Sequence, residues 1–222
     1  MIPYGLLYRL GFAPWERRDV DESWRPLLDG PHAPTPGRAL DVGCGSGRDA
    51  IYLAKRGWQV TAVDAVEKAL AAARQRAAAE GVDVQWVAGD VAGLGRLGLK
   101  PGYHLLYDFG CIHGLPDAAR KGAAAGLTEL AAAGATLLIT AFKAGRGIVL
   151  PRGMNREDVV ALLGDAWKLE DSRSVVTRDA PAVLRRANPT VYRLTRRTEA
   201  ASAGARTGTT SEDLPSAGEE TR

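Results

Sequence analysis

Cysteine, methionine and histidine are scarce in this chain of 222 residues, which holds two, two and three of them. Two cysteines, Cys44 and Cys111, cannot build a disulfide framework. The three histidines and two cysteines show no metal-ligand spacing, so no metal site is expected. No run approaches the ~20 apolar residues of a membrane helix, and no membrane partner is expected. The apolar start, Met1 to Trp15, is interrupted by Arg9 and lacks a small-residue cleavage site, unlike a signal peptide. The expected location is cytoplasmic. Charge of one sign is also in short supply: the formal net charge is +3. The arginine pairs at 17–18, 185–186 and 196–197 are scattered, which suits a solvated surface better than a nucleic-acid stripe. Residues 198–222 have no aromatic side chain and are rich in Ala, Gly, Ser, Thr and Glu. Such a stretch cannot offset its ordering entropy by burial, and it reads as a disordered tail.

What is there is an ordinary globular share of hydrophobic residues, 45%, enough for one α/β domain. The stretch 37–64 organises it. Ala39 to Val42 is a short apolar run; Gly43, Gly45 and Gly47 follow as a flexible turn; Ser46 is placed to cap the next helix. Ile51, Leu53 and Ala54 give that helix its inward face, and Val60 to Val63 is a second β-rich run ending on Asp64. A βαβ start of this kind places a nucleoside-type cofactor at the strand ends.

Further on, 66–79 reads as helix stopped by Gly81, Val82 to Val87 as strand, and Tyr103 to Phe109 as strand. Pro116 to Ala133 reads as helix weakened by Gly122 and Gly126, and Ala135 to Phe142 as a buried strand. Asn155 to Ala166 reads as a helix capped by Asn155, before two last strands at 168–177 and 190–195. The alternation predicts a mostly parallel sheet with helices on both faces over residues 37–197. Residues 1–36, with Tyr4, Tyr8 and Trp15, are either a helix packed on that domain or an aromatic lid over its site.

The glycine spacing discriminates between cofactors. A nicotinamide dinucleotide turn needs a third glycine where this chain has Arg48, a position with a steric purpose. The run Asp41-Val-Gly43-Cys44-Gly45-Ser-Gly47 instead resembles motif I of the class I S-adenosylmethionine-dependent methyltransferases. The resemblance covers about 37–143 and implies a Rossmann-like domain with a seven-stranded sheet, S-adenosyl-L-methionine as cofactor and a small-molecule methyl acceptor. It implies that Asp64, with Ala65, takes the ribose hydroxyls, and that Asp90, with Val91, meets the adenine amino group. Asp41, Gly43, Cys44, Gly45 and Gly47 then pass the cofactor's amino-acid part, with Asp108 and Phe109 completing the set. From the residues alone, Asp64 is also a helix cap before Val66, Asp90 a turn residue, and Cys44 small packing.

Cys44 to Ala54, read with Pro14-Trp15-Glu16, resembles the thiopurine and tellurite-resistance subgroup and its thiol and halide relatives. There a tryptophan closes over the sulfonium, a cation that an aromatic face stabilises by ~0.5–2 kcal/mol. The acceptor then sits at 107–116, with His113 as candidate base or structural residue, Cys111 beside it, and Tyr4 and Tyr8 from the lid. Lys143 and Arg146 are candidates to draw in an acidic acceptor, or a solvated loop. A thiol of pKa ~8.5 needs little help to ionise, whereas a phenol of pKa ~10 needs more. The expected activity is methyl transfer to a thiol or other soft atom, with oxygen or nitrogen possible, by a monomer or homodimer. The alternative is a silent cofactor-binding module.

Overall fold

The computed structural model describes residues 28–30, 33–143, 152–174 and 188–198. The expected lid with Tyr4, Tyr8 and Trp15, Arg146, and the tail beyond Thr198 lie outside the described residues.

Seven strands form one sheet: β1 (Arg38–Val42), β2 (Gln59–Asp64), β3 (Gln85–Ala88), β4 (Tyr103–Phe109), β5 (Ala131–Ala141), β6 (Trp167–Ser174) and β7 (Thr190–Arg196). Their order across the sheet is β3-β2-β1-β4-β5-β7-β6. The first five pair in parallel, and β7 inserts antiparallel between β5 and β6. This is the mostly parallel Rossmann-like sheet expected from the alternation. The chain winds outward from β1 to β3 and then returns to lay β4 against β1, which opens a crevice at the carboxyl ends of β1 and β4.

Among the described residues, four helices connect the strands: α1 (Arg48–Ala54), α2 (Glu67–Glu80), α3 (Asp117–Leu130) and α4 (Arg156–Leu163). Two core clusters sit on opposite faces of the sheet. Leu40, Val42, Leu106, Ala123, Leu127, Leu137, Ile139 and Val159 belong to the one that packs α3 and α4. Ala39, Ala50, Leu53, Trp58, Val60, Leu105 and Tyr107 belong to the one that packs α1. A sheet covered on both faces needs continuous apolar strands, and β5 meets that need from Leu137 to Ala141.

Several boundaries differ from the sequence reading for identifiable reasons. α3 stops at Leu130, not Ala133, because Ala131 already pairs with Tyr103 of β4. β5 takes up the intervening residues through a register irregularity before Leu105 pairs with Thr136. β3 is shorter than Val82 to Val87 and ends at Ala88. The helix after Asn155 ends at Leu163 and tightens into a 3₁₀ turn over Gly164–Ala166. β6 ends at Ser174. Asn155 does cap α4, exchanging backbone and side-chain bonds with Asp158 in a capping box.

Gly122 and Gly126 are more than weak points of a helix. A Cβ at Gly122 would overlap the carbonyl oxygen of Ala92, and one at Gly126 would stand 2.8 Å from the nitrogen of Gly95. The two glycines let α3 lie directly on the 3₁₀ segment Val91–Arg96, whose Leu94 is fully buried.

Candidate active site

The turn after β1 is shaped by backbone bonds. Gly43 and Cys44 both donate their N–H to the carbonyl of Val63 on β2, at 2.8 and 3.0 Å. Gly43 has φ +74° and lies against Cys111: a Cβ there would overlap the Cys111 Cβ and come within 2.6 Å of its sulfur. Gly47 has φ +77°, where a Cβ would run into the Trp86 ring and stand 2.8 Å from Ala73. Gly47, not Ser46, is the cap residue of α1, and it makes no side-chain cap bond. The Ser46 hydroxyl is engaged elsewhere, accepting from Arg76 at 2.9 Å.

Asp64 closes the turn from the other side. One carboxylate oxygen accepts the N–H of Gly45 at 2.8 Å and the other accepts the N–H of Val66 at 2.8 Å. It therefore does cap the segment before α2, and it also pins the glycine turn. Asp90 accepts the N–H of Ala92 at 2.9 Å as cap of its 3₁₀ segment, and its side chain is exposed. The Val91 side chain is buried in the core, while Ala65 is exposed beside Asp64.

Asp41, Asp49, Asp64 and Asp108 bring four carboxylates to this end of the sheet, all buried. Burial, followed by the charges of Asp49, Asp108 and Asp64, holds the Asp41 carboxyl well above the usual range. Asp41 accepts from the backbone of Ala50, and its Oδ2 is buried with no hydrogen-bond partner among the described residues. Arg48 stands 3.8 Å from Asp49. Asp49 also takes a bond from the Tyr107 hydroxyl at 3.4 Å. An orphaned, buried carboxylate oxygen inside a group of like charges fits a cationic ligand such as an ammonium donor.

Asp108 acts on the loop that follows β4. Its Oδ1 accepts from Cys111 at 2.9 Å and from Ile112 at 3.2 Å. Burial pushes its carboxyl to about 7 against the opposing effect of those two bonds. Phe109 stacks on Tyr107 with centroids 6.4 Å apart. Burial pushes up both thiols; Cys44 packs against the core and donates to the Gly45 carbonyl at 3.8 Å, and Cys111 packs on Gly43 as described.

His113 is 1% exposed. Its Nδ1 lies 3.3 Å from the carbonyl of Thr140. A carbonyl only accepts, so the ring hydrogen belongs on Nδ1 and Nε2 carries the lone pair. Nε2 is buried with no partner among the described residues. The ring rests on Phe142 at 4.8 Å. Burial first, then the Arg120 charge, lower its pKa to about 4, against the Thr140 bond. The imidazole is therefore neutral at neutral pH and a weak base. Lys143 is exposed at the end of β5.

The structure thus brings Asp41, Gly43, Cys44, Gly45, Gly47, Asp64, Asp108, Cys111 and His113 to one end of the sheet. Asp49, Arg48, Trp86, Thr140 and Arg120 join them without having been singled out. For Asp49 the available signal was an acid in the first turn of the helix after a glycine turn. Among the described residues no group of His, Cys, Asp and Glu could hold a metal ion, and no helix is long and apolar enough to cross a membrane.

Comparison with known proteins agrees with this arrangement. Residues 39–134 match the methyltransferase domain family. A 2-heptyl-1-hydroxyquinolin-4(1H)-one methyltransferase of Mycobacteroides abscessus is 27% identical over 139 residues, 61% of this chain and 60% of that protein. A ribosomal RNA small subunit methyltransferase C of Alcanivorax borkumensis is 34% identical over 64 residues, 29% of this chain and 20% of that one. The chain therefore spans less than two thirds of the length of these two curated relatives. Among solved structures, Burkholderia thailandensis 1,6-didemethyltoxoflavin-N1-methyltransferase, crystallised with its substrate and S-adenosylhomocysteine, superposes with a TM-score of 0.69 at 24% identity. That superposition covers 88% of this chain and 86% of the other. The fold is that of the class I S-adenosylmethionine-dependent methyltransferases.

Proposed function

We propose that this protein binds S-adenosyl-L-methionine at the carboxyl ends of β1, β2 and β4 and methylates a small-molecule acceptor. The observation that carries the cofactor reading is the glycine turn held open by Asp64 beside the orphaned oxygen of Asp41. Asp41 takes the amino end, Asp64, whose carboxylate lies beside the glycine turn, takes the ribose hydroxyls, and Asp90 receives the adenine amino group. When bound, the cofactor supplies an electrophilic methyl group on a sulfonium sulfur. Two of the relatives named above support a small acceptor, being named for 2-heptyl-1-hydroxyquinolin-4(1H)-one and 1,6-didemethyltoxoflavin.

The preferred acceptor is read from the weak basicity of the His113 imidazole on the loop after β4. His113, lowered to about 4, cannot hold much proton at neutral pH. A nucleophile that ionises readily or arrives with a free lone pair fits such a site: a thiol, another soft atom or an acidic heteroaromatic group. Thiols of pKa ~8.5 are about 2 kcal/mol from ionisation at pH 7, phenols of pKa ~10 about 4. Alignment of donor and acceptor can lower the barrier by ~7–11 kcal/mol without any base.

Calorimetry with S-adenosylmethionine, S-adenosylhomocysteine and NAD tests the cofactor: the first two bind and NAD does not, and tight NAD binding alone overturns the reading. Labelled-methyl transfer across thiols, phenols and amines tests the reaction. Faster transfer to phenols than to thiols refutes the soft-acceptor preference. Retained S-adenosylhomocysteine binding with no transfer to any acceptor identifies a silent module instead.

A further inference from the structure

The sheet ladder between β4 and β5 ends with Phe109 opposite Thr140. Beyond it the two strand exits diverge, one into the loop carrying Cys111 and His113, the other into Phe142 and Lys143. Arg120, on α3, reaches across that gap. Its Nη2 donates to the carbonyl of His113 and, at 3.0 Å, to the carbonyl of Gly153. One terminal guanidinium nitrogen carries two hydrogens, so a single nitrogen serves both carbonyls. Both acceptors are backbone atoms, which makes the bridge independent of side-chain rotamers at either end.

The Gly153 side of the bridge is rigidly seated. Gly153 has φ +71°, and a Cβ there would come within 2.5 Å of the Lys143 carbonyl and 2.6 Å of the Phe142 carbonyl. Its neighbour Met154 donates its N–H to the Phe142 carbonyl at 2.9 Å. Met154 is buried in the core, and Arg152 pairs with Asp117 at the start of α3 at 3.2 Å. Phe142, Lys143, Gly153 and Met154 therefore form a closed base. On the other side, His113 leans on the same base through Thr140 and Phe142.

We propose that Arg120 is the positioning residue of the acceptor end, its guanidinium setting the His113 loop against the Phe142–Gly153 base by bridging the carbonyls of His113 and Gly153. This rests on the reading of that end as the acceptor site. The residue acts through His113 and the base and does not itself meet the acceptor. A lysine ammonium is a point donor on a flexible stem, so it restores one bond more readily than the fork.

The test compares wild type, Arg120→Met and Arg120→Lys. S-adenosylhomocysteine affinity by calorimetry is expected to stay within about twofold, because the glycine turn lies across the crevice. Exchange of the Met154 amide is expected to rise about tenfold or more in Arg120→Met, with β7 amides such as Leu194 unchanged. In transfer to thiophenol, KM for the thiol is expected to rise about fivefold or more, with Arg120→Lys intermediate. An unchanged Met154 exchange rate overturns the bridge. Faster exchange throughout the sheet together with lost S-adenosylhomocysteine binding shows a merely structural role and also overturns it. If the wild type transfers no methyl group at all, the proposed function fails, while the exchange experiment still decides the bridge.

Discussion

Asp64 accepts the backbone N–H of Gly45 across the turn, 19 positions away in sequence, at 2.8 Å. That bond ties the end of β2 to the middle of the glycine turn, and the second oxygen ties it to the start of the next segment. Replacing Asp64 by Ala removes both and leaves two backbone donors to find other partners. We expect S-adenosylhomocysteine affinity to fall by about 100-fold, near 3 kcal/mol, as loss of charge-assisted bonds. Calorimetry reads it directly, and unchanged affinity removes Asp64 from the ribose role.

Gly43 makes a second case. An alanine there meets both a left-handed backbone and the Cys111 side chain. Gly43→Ala should cost about 2 kcal/mol or more in thermal denaturation. Adding Cys111→Gly removes the overlap but not the backbone strain, so the double variant should recover part of the loss. Full recovery would mean the conformation at Gly43 costs nothing.

Gly122→Ala distinguishes local propensity from packing. In an exposed helix interior this change stabilises by about 1 kcal/mol. Here the new methyl overlaps the Ala92 carbonyl oxygen, a backbone atom that cannot rotate away. The midpoint of thermal unfolding should therefore fall. A rise would show that α3 and the 3₁₀ segment can separate at no cost.

Asp108 and His113 make opposing contributions to the pH dependence of stability. Asp108 is raised from 3.8 to about 7 in the folded protein, so the native state binds more protons than the unfolded one between those values. Its contribution makes stability fall as pH rises through that window, by up to about 4 kcal/mol. His113 is lowered from 6.5 to about 4, so the unfolded state binds more protons there and stability rises with pH over the same lower range. Asp108→Asn should steepen the rise between pH 4 and 6.5, and His113→Gln should expose the fall. Denaturant titrations at several pH values check both signs; an unchanged profile in Asp108→Asn contradicts its buried, raised carboxyl.

The parts of the fold that depend on local chemistry were legible in the sequence. Gly81 does stop α2 in a left-handed conformation, and Asn155 does cap α4. β4 runs from Tyr103 to Phe109 as its apolar pattern indicates. What escaped depended on residues distant in sequence. Ser46 has the chemistry of a cap, but Arg76, thirty positions on, takes its hydroxyl. The alanines after Leu130 favour helix, yet pairing with β4 draws them into β5. Gly122 and Gly126 look like defects until the segment that lies on them is known. In the site, the glycine turn and Asp64 could be read from spacing. The burial that turns His113 from a candidate base into a weakly basic, neutral ring could not, because nothing local announces Thr140 and Phe142 around it. The bridge made by Arg120 was equally hidden, since both of its partners are carbonyls that every residue possesses.

Trp86 covers Gly47 so closely that no side chain fits between them. An indole placed on the back of the cofactor turn responds to changes in that turn's electric field and rigidity. The molecule thus contains its own fluorophore next to the turn proposed to hold the cofactor. With Trp58 and Trp167 seated in the core, emission that shifts on S-adenosylhomocysteine addition and is lost in Trp86→Phe gives an optical titration needing no label and no knowledge of the acceptor.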